Sequence, residues 1–209
     1  MVLCGVCFNS SNLDYLSDIG VKDSKKLTPI KRKTLAALIK TKCICYKEIQ
    51  VSSKEIDNRE TNNITLNQLE IYKMVEIIDE LMPEIIYIDA ADVNEERFGL
   101  TIESLLSYRP KEIISKHKAD EIYPIVSAAS ILAKHKRDTI INDIKNKVIS
   151  KGYGDIGSGY PSDKKTIEFL RNWIIKNKKI PNFARKSWKT TRRIIDEELN
   201  NKKITQFFS

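Results

Sequence analysis

The sequence predicts a mixed α/β sheet covered by helices and ending in a helical C-terminal extension. Three observations carry that reading. Short continuous apolar runs of buried-strand type alternate with amphipathic helical stretches over residues 1–150, and beyond about residue 163 only helical periodicity remains. The chain of 209 residues, 41% hydrophobic and 31% charged, is long enough for one sizeable domain with a small appendage and too apolar to be disordered throughout.

The first apolar run, Val2 to Phe8, is a core strand with nothing before it, so its sheet partner lies later in the chain or is missing. Thr28 followed by Pro29 starts a helix, with a capping hydroxyl before a residue whose absent N–H costs nothing at the first position; Leu35, Leu38 and Ile39 form its apolar stripe. A strand follows at 43–51. A polar stretch with Ser52, Ser53, Asp57, Asn58 and Asn62 separates it from a longer helix in which Ile71, Met74, Ile78 and Leu81 recur at spacings of three and four. Pro83 stops that helix, and EIIYID (84–89) is a buried strand. A helix at 99–107 leads to the strand KEIIS (111–115), then to a long helix beginning PIVSAAS. The Gly-rich loop KGYGDIGSGYPSD (151–163) precedes two helices near 163–177 and 186–199. The expected organisation is a catalytic core over 1–150, a loop and helical extension over 151–199, and a flexible tail over 200–209, with no internal repeat.

A net charge of +8 points to an anionic partner or to a lysine-rich background composition. No apolar run reaches the roughly 20 residues a membrane span needs, and the opening stretch lacks a basic region and a cleavage site, so a cytoplasmic protein without membrane contact is expected. Cys4, Cys7, Cys43 and Cys45 imitate a loose zinc set. Cys43 and Cys45, two apart in a strand, would share a face, whereas Cys4 and Cys7 fall on opposite faces, so buried free thiols are expected.

Asp89 ends a buried strand, where open α/β sheets place their sites, and Asp92 follows it. Asp120 lies just beyond another strand, flanked by Lys116, His117 and Lys118. Each alone reads as a cap or turn residue. Together, carboxylates held among cations point to a hard metal ion and a phosphate in one place. Ser24, Lys25 and Lys26, just before a helix, read as a phosphate grip or as a solvated Lys pair. Ser127 and its small neighbours permit either tight packing on the sheet or approach of a nucleic-acid backbone. Tyr160, between glycines, is placed to stack on a sugar or base or to anchor its loop. His117 and His135 read as surface or phosphate-side residues, since Mg²⁺ and Mn²⁺ sites favour oxygen.

Four segments in order, VKDSKKLTP, YIDAADVNEERFG, KHKADEIYPIVSAASILAK and YGDIGSGYPSD, resemble type 2 ribonuclease H (ribonuclease HII) in its archaeal form, over residues 1 to about 195. The resemblance implies a ribonuclease H-like fold and an endonuclease that cuts RNA in RNA–DNA duplexes or at ribonucleotides embedded in DNA. It implies two Mg²⁺ or Mn²⁺ ions and products with 5′-phosphate and 3′-hydroxyl ends. It places catalytic metal ligands at Asp89 and Asp120 and the substrate tyrosine at Tyr160, with Ser24, Lys25, Lys26, Lys118 and Ser127 as further substrate contacts.

The family also has an earlier strand carrying Asp-Glu followed by Ala-Gly-Arg-Gly, hairpinned onto the strand that starts here at Met1, and neither is present in this sequence. The expectation is an internal Met standing at the start of a shortened chain, with two of four metal carboxylates absent, little activity, and an exposed edge on Val2–Phe8. The alternative is a clamp-tethered binder of hybrid nucleic acid without catalysis. In the tail, Ile204, Phe207 and Phe208 are similar to a sliding-clamp (PCNA) interacting peptide, with Asn201 where Gln is usual. A monomer is expected.

Overall fold

A computed structural model describes residues 1–21 and 27–200. In chain order the elements are β1 (Val2–Cys7), a 3-10 turn (Ser10–Asn12), α1 (Asp14–Asp18), α2 (Pro29–Lys42), β2 (Cys45–Gln50), α3 (Ser53–Asn58), α4 (Leu66–Leu81), β3 (Ile85–Asp89), α5 (Glu95–Leu105), β4 (Glu112–Lys116), α6 (Ala119–Ile122), α7 (Pro124–Ile149), α8 (Lys164–Asn177), α9 (Lys189–Ile195) and a π turn (Asp196–Asn200). They fall into two compact units, one formed by Met1–Val51 and Ile64–Asp138, the other by Ser52–Asn63 and the chain from Thr139 onward.

In the first unit the partner of β1 is β2, some 45 residues later. The two run antiparallel in a register that sets Val2 opposite Gln50 and Cys7 opposite Cys45. β3 and β4 pair in parallel, Ile85 opposite Glu112 and Asp89 opposite Lys116. Among the described residues these are two separate two-stranded sheets. One apolar cluster, with Leu16, Leu35, Ile39, Ile131 and Leu132, joins α1, α2 and α7; a second, with Ile71, Ile78, Ile86, Ile88, Phe98 and Ile102, packs α4 and α5 against β3. In the second unit Val148, Ile156, Phe169, Leu170, Ile174 and Ile194 form the core, ringed by Trp173, Tyr153 and Phe183.

Caps fix the helix starts. Thr28 accepts the amide of Lys31 at α2, Thr65 and Gln68 form a reciprocal capping box at α4, and Met82 in the left-handed region ends α4 before Pro83. α5 begins four residues before its expected start because the Asn94 side chain accepts the Arg97 amide and caps it. The polar stretch after β2 contains α3, capped by Ser52. The last expected helix is shorter: residues 181–188 are irregular, held by Asp57, whose carboxylate accepts the Lys186 and Ser187 amides and the Ser187 hydroxyl at 2.8, 3.0 and 2.8 Å. Cys43 caps α2 rather than lying in β2 beside Cys45, and all four thiols are half-buried, not buried. Burial pushes the Cys4 and Cys7 thiols up to about 12, so neither is a ready thiolate.

Candidate functional site

β3 is a five-residue apolar strand that ends on a carboxylate. Asp89 is half-buried at its C-terminal end, and its Oδ1 accepts the backbone N–H of Ala119 at 3.1 Å. Ala119 is fully buried and opens α6, directly before Asp120, which is 3% exposed. A left-handed Lys118, φ 54°, turns the chain from β4 into α6. The hydrogen bond thus ties the end of β3 to the turn after β4 and gathers Asp89 and Asp120 at one end of the parallel pair. The sequence reading expected both at strand ends, and the local geometry brings them together.

Glu95, not singled out in the sequence, holds this turn from the other side. Its carboxylate accepts from Lys116 Nζ at 2.6 Å and from the His117 amide at 2.9 Å. The Lys116 hydrogen bond, then the His117 amide, lower the Glu95 carboxyl below its ordinary range. The only hint in sequence is an acid in the first turn of a helix after a capping Asn. His117 Nε2 meets the Val93 carbonyl at 3.1 Å, a structural contact. Asp92 accepts the Asn94 amide and pairs with Arg97 at 2.6 Å, which makes it a turn residue.

Lys118 is exposed, while Ser127 is 1% exposed and its hydroxyl has no hydrogen-bond partner among the described residues. Tyr160 belongs to the second unit and is 48% exposed. Its loop turns on left-handed glycines at 152, 154, 157 and 159, and Asp163 Oδ2 ties it down by accepting the Ser158 amide at 2.7 Å. Ser24, Lys25, Lys26, Ile204, Phe207 and Phe208 lie outside the described residues.

Two adjacent carboxylates suit a hard divalent cation such as Mg²⁺, which is held by one or two carboxylates and completes its shell with water and substrate phosphate oxygens. Among the described residues no group of three or more His, Cys, Asp or Glu side chains could hold a metal ion. Asp89 and Asp120 therefore fit one cation; they do not by themselves fit two. No described helix is long and apolar enough to cross a membrane.

A profile of the family described as Ribonuclease HII matches residues 1–191. A ribonuclease HII of Methanocella arvoryzae is 44% identical over 195 residues, covering 93% of this chain and 84% of that one. Among solved structures, the ribonuclease H2 of Pyrococcus horikoshii is similar with a TM-score of 0.82 at 36% identity, covering 94% of this chain and 98% of that one. An Archaeoglobus fulgidus RNase HII, solved in complex with PCNA, gives a TM-score of 0.82 at 39% identity and covers 96% and 91%.

Proposed function

The chain belongs to the ribonuclease HII family, and on that premise we propose that it is an endonuclease that hydrolyses the RNA strand of RNA–DNA hybrids and cuts at ribonucleotides embedded in duplex DNA, leaving 5′-phosphate and 3′-hydroxyl ends. The fold is ribonuclease H-like and the family is one of ribonuclease H hydrolases that depend on divalent metal. The observation that carries the reading is the Asp89–Ala119 hydrogen bond, which gathers two carboxylates at the end of a parallel strand pair.

Asp89 and Asp120 would hold Mg²⁺ or Mn²⁺, and such a cation supplies charge that activates water and stabilises the departing 3′ oxygen. Asp89 also keeps Asp120 in place through the Ala119 amide. Lys118, exposed beside them, is suited to a phosphate oxygen. Tyr160 presents an exposed ring to a sugar or base, the sugar being the place where a 2′-hydroxyl marks a ribonucleotide. Ser24, Lys25, Lys26 and Ser127 complete the proposed substrate contacts. Since one relative is solved in complex with PCNA, the proposal extends to a monomeric enzyme whose tail docks a sliding clamp through Ile204, Phe207 and Phe208.

A second reading, a hybrid-binding protein without turnover, is favoured by the gathering of only two carboxylates among the described residues. One experiment separates the two. The 209-residue protein is incubated with end-labelled RNA–DNA hybrid, and with duplex DNA carrying one ribonucleotide, in Mg²⁺ or Mn²⁺. Cleavage lost in Asp120→Asn supports the nuclease. Hybrid binding with no cleavage above the Asp120→Asn background supports the second reading and defeats the first. Removal of residues 200–209 should abolish clamp binding and leave cleavage unchanged.

A further inference from the structure

The two half-sheets of the first unit are separated by a slot of about 850 Å³, lined by β1, β3, α4 and α7. The hydrogen-bond pattern defines its walls. Met1 and Val51 exchange both backbone bonds, at 2.8 and 2.9 Å, so in β1 the odd residues face β2 and the even ones, Val2, Cys4 and Val6, turn their N–H and C=O the other way. In β3 the Glu84 carbonyl accepts from Lys111 and the Ala90 amide donates to Lys116, so the even residues face β4 and Ile85, Tyr87 and Asp89 turn away from it. Among the described residues no strand pairs with either of these edges.

A groove with a backbone edge on each side is selective in a way an apolar patch is not, because it rewards an occupant with donors and acceptors at strand spacing on both of its own edges. The size agrees. A strand of about six residues, at about 3.3 Å rise, 4.8 Å spacing and 10 Å between packed layers, fills on the order of 950 Å³. The slot faces are apolar, with Met74, Ile77 and Leu81 on α4 and Ala129 and Ala133 on α7, and its charged side chains, Glu70, Glu84 and Asp89, are all acidic. A second copy of the chain fits poorly, because its own β1 is packed together with α4.

We propose that this slot is a strand-acceptor site: an extended polypeptide segment with an apolar middle and basic ends, supplied in trans, pairs with β1 and β3 and joins the half-sheets into one. The inference stands apart from the nuclease reading, since its readouts are structural.

The probe is a blocked eight-residue synthetic peptide of Val, Ile and Ala with Lys at each end, titrated into the full 209-residue protein. Saturable binding is expected, with amide exchange at Val2, Cys4, Val6, Ile85 and Tyr87 slowed about tenfold or more, while Leu3 and Gly5, already bonded to β2, change little. The same peptide, N-methylated on the residues that face one edge, should bind at least about tenfold more weakly. Equal binding of the two peptides, or binding without protection of the slot-side amides, overturns the proposal. So does protection of those amides without peptide that rises with protein concentration alongside dimer formation in sedimentation, which would make a second copy the occupant.

Discussion

Replacing Asp89 by Asn and by Ala separates the two tasks assigned to that side chain. Asn keeps an oxygen acceptor for the Ala119 amide and loses the charge. Ala loses both and leaves an N–H on a fully buried residue without its acceptor. A hydrogen bond to a charged group is worth about 1.5–3 kcal/mol and a neutral one about 0.5–1.5, and leaving a buried donor unmet adds about 1–3. Asp89→Asn should therefore cost about 1 kcal/mol and Asp89→Ala about 3. The difference of about 2 kcal/mol is roughly a factor of 30 in local opening. Native-state hydrogen exchange at the Ala119 amide reads that opening directly, avoiding the two-state assumption that two compact units make unsafe. Mn²⁺ calorimetry on the same samples reads the charge, and both variants should lose the binding seen in the parent. Equal exchange at Ala119 in Asn and Ala variants would refute the positioning role, and retained Mn²⁺ binding in Asp89→Asn would refute the ligand role.

Gly5 is set against α4 so closely that an added Cβ would lie 2.5 Å from Ile77 Cγ2 and 2.9 Å from Leu81 Cδ1. Gly5→Ala should destabilise the first unit by about 1–3 kcal/mol, and Ile77→Ala should cost less in that background than in the parent, measured by urea unfolding of the four-member cycle. Asp57→Ala removes three hydrogen bonds that hold residues 186–187; a loss of about 2 kcal/mol is expected, seen as faster proteolytic cleavage within 182–188, and an unchanged cleavage rate would contradict it. The Ser158 amide, then the Lys165 amide, hold Asp163 below the ordinary aspartate range, and Lys145, then the Gly157 amide, do the same for Asp155. Because both are lower in the folded state, their support of the Tyr160 loop is complete above about pH 4 and is lost as pH falls through the folded values. The Ser158 and Gly157 amide resonances should move together below that point and stay fixed between about pH 5 and 8.

Elements with local chemistry were legible. Thr28-Pro29 named the start of α2, Pro83 stopped the α4 stripe, and EIIYID became β3 ending on Asp89. Asp89 and Asp120 were readable because a carboxylate after an apolar run is placed by the strand itself. What depended on distant contacts was not readable. Asp57 captures amides some 130 residues away and turns the expected start of the last helix into a loop. Glu95 gains its role only because β4 brings Lys116 and His117 to the start of α5. Pairing was hidden too: periodicity shows that Val2–Cys7 is buried on a face but not that β2 pairs with one edge alone.

The half-sheet arrangement and the small carboxylate set are two views of one feature. A site at the end of a sheet draws its groups from neighbouring strands, each delivering one side chain at the same level. Here β3 delivers Asp89 and the turn after β4 delivers Asp120, both from one side. On the other side of β3 lies the slot, whose wall there is the backbone of Ile85, Tyr87 and Asp89 itself. Asp89 thus joins the two: its side chain fixes α6, and its main chain borders the slot. A strand that paired along that edge would restrict the backbone dihedrals of Asp89 and with them the direction of the carboxylate. Order in the slot and geometry at the carboxylate pair are coupled through this single residue, so a cation placed there without such order meets oxygen donors from one side only and must complete its shell with water or with the phosphates of a bound duplex.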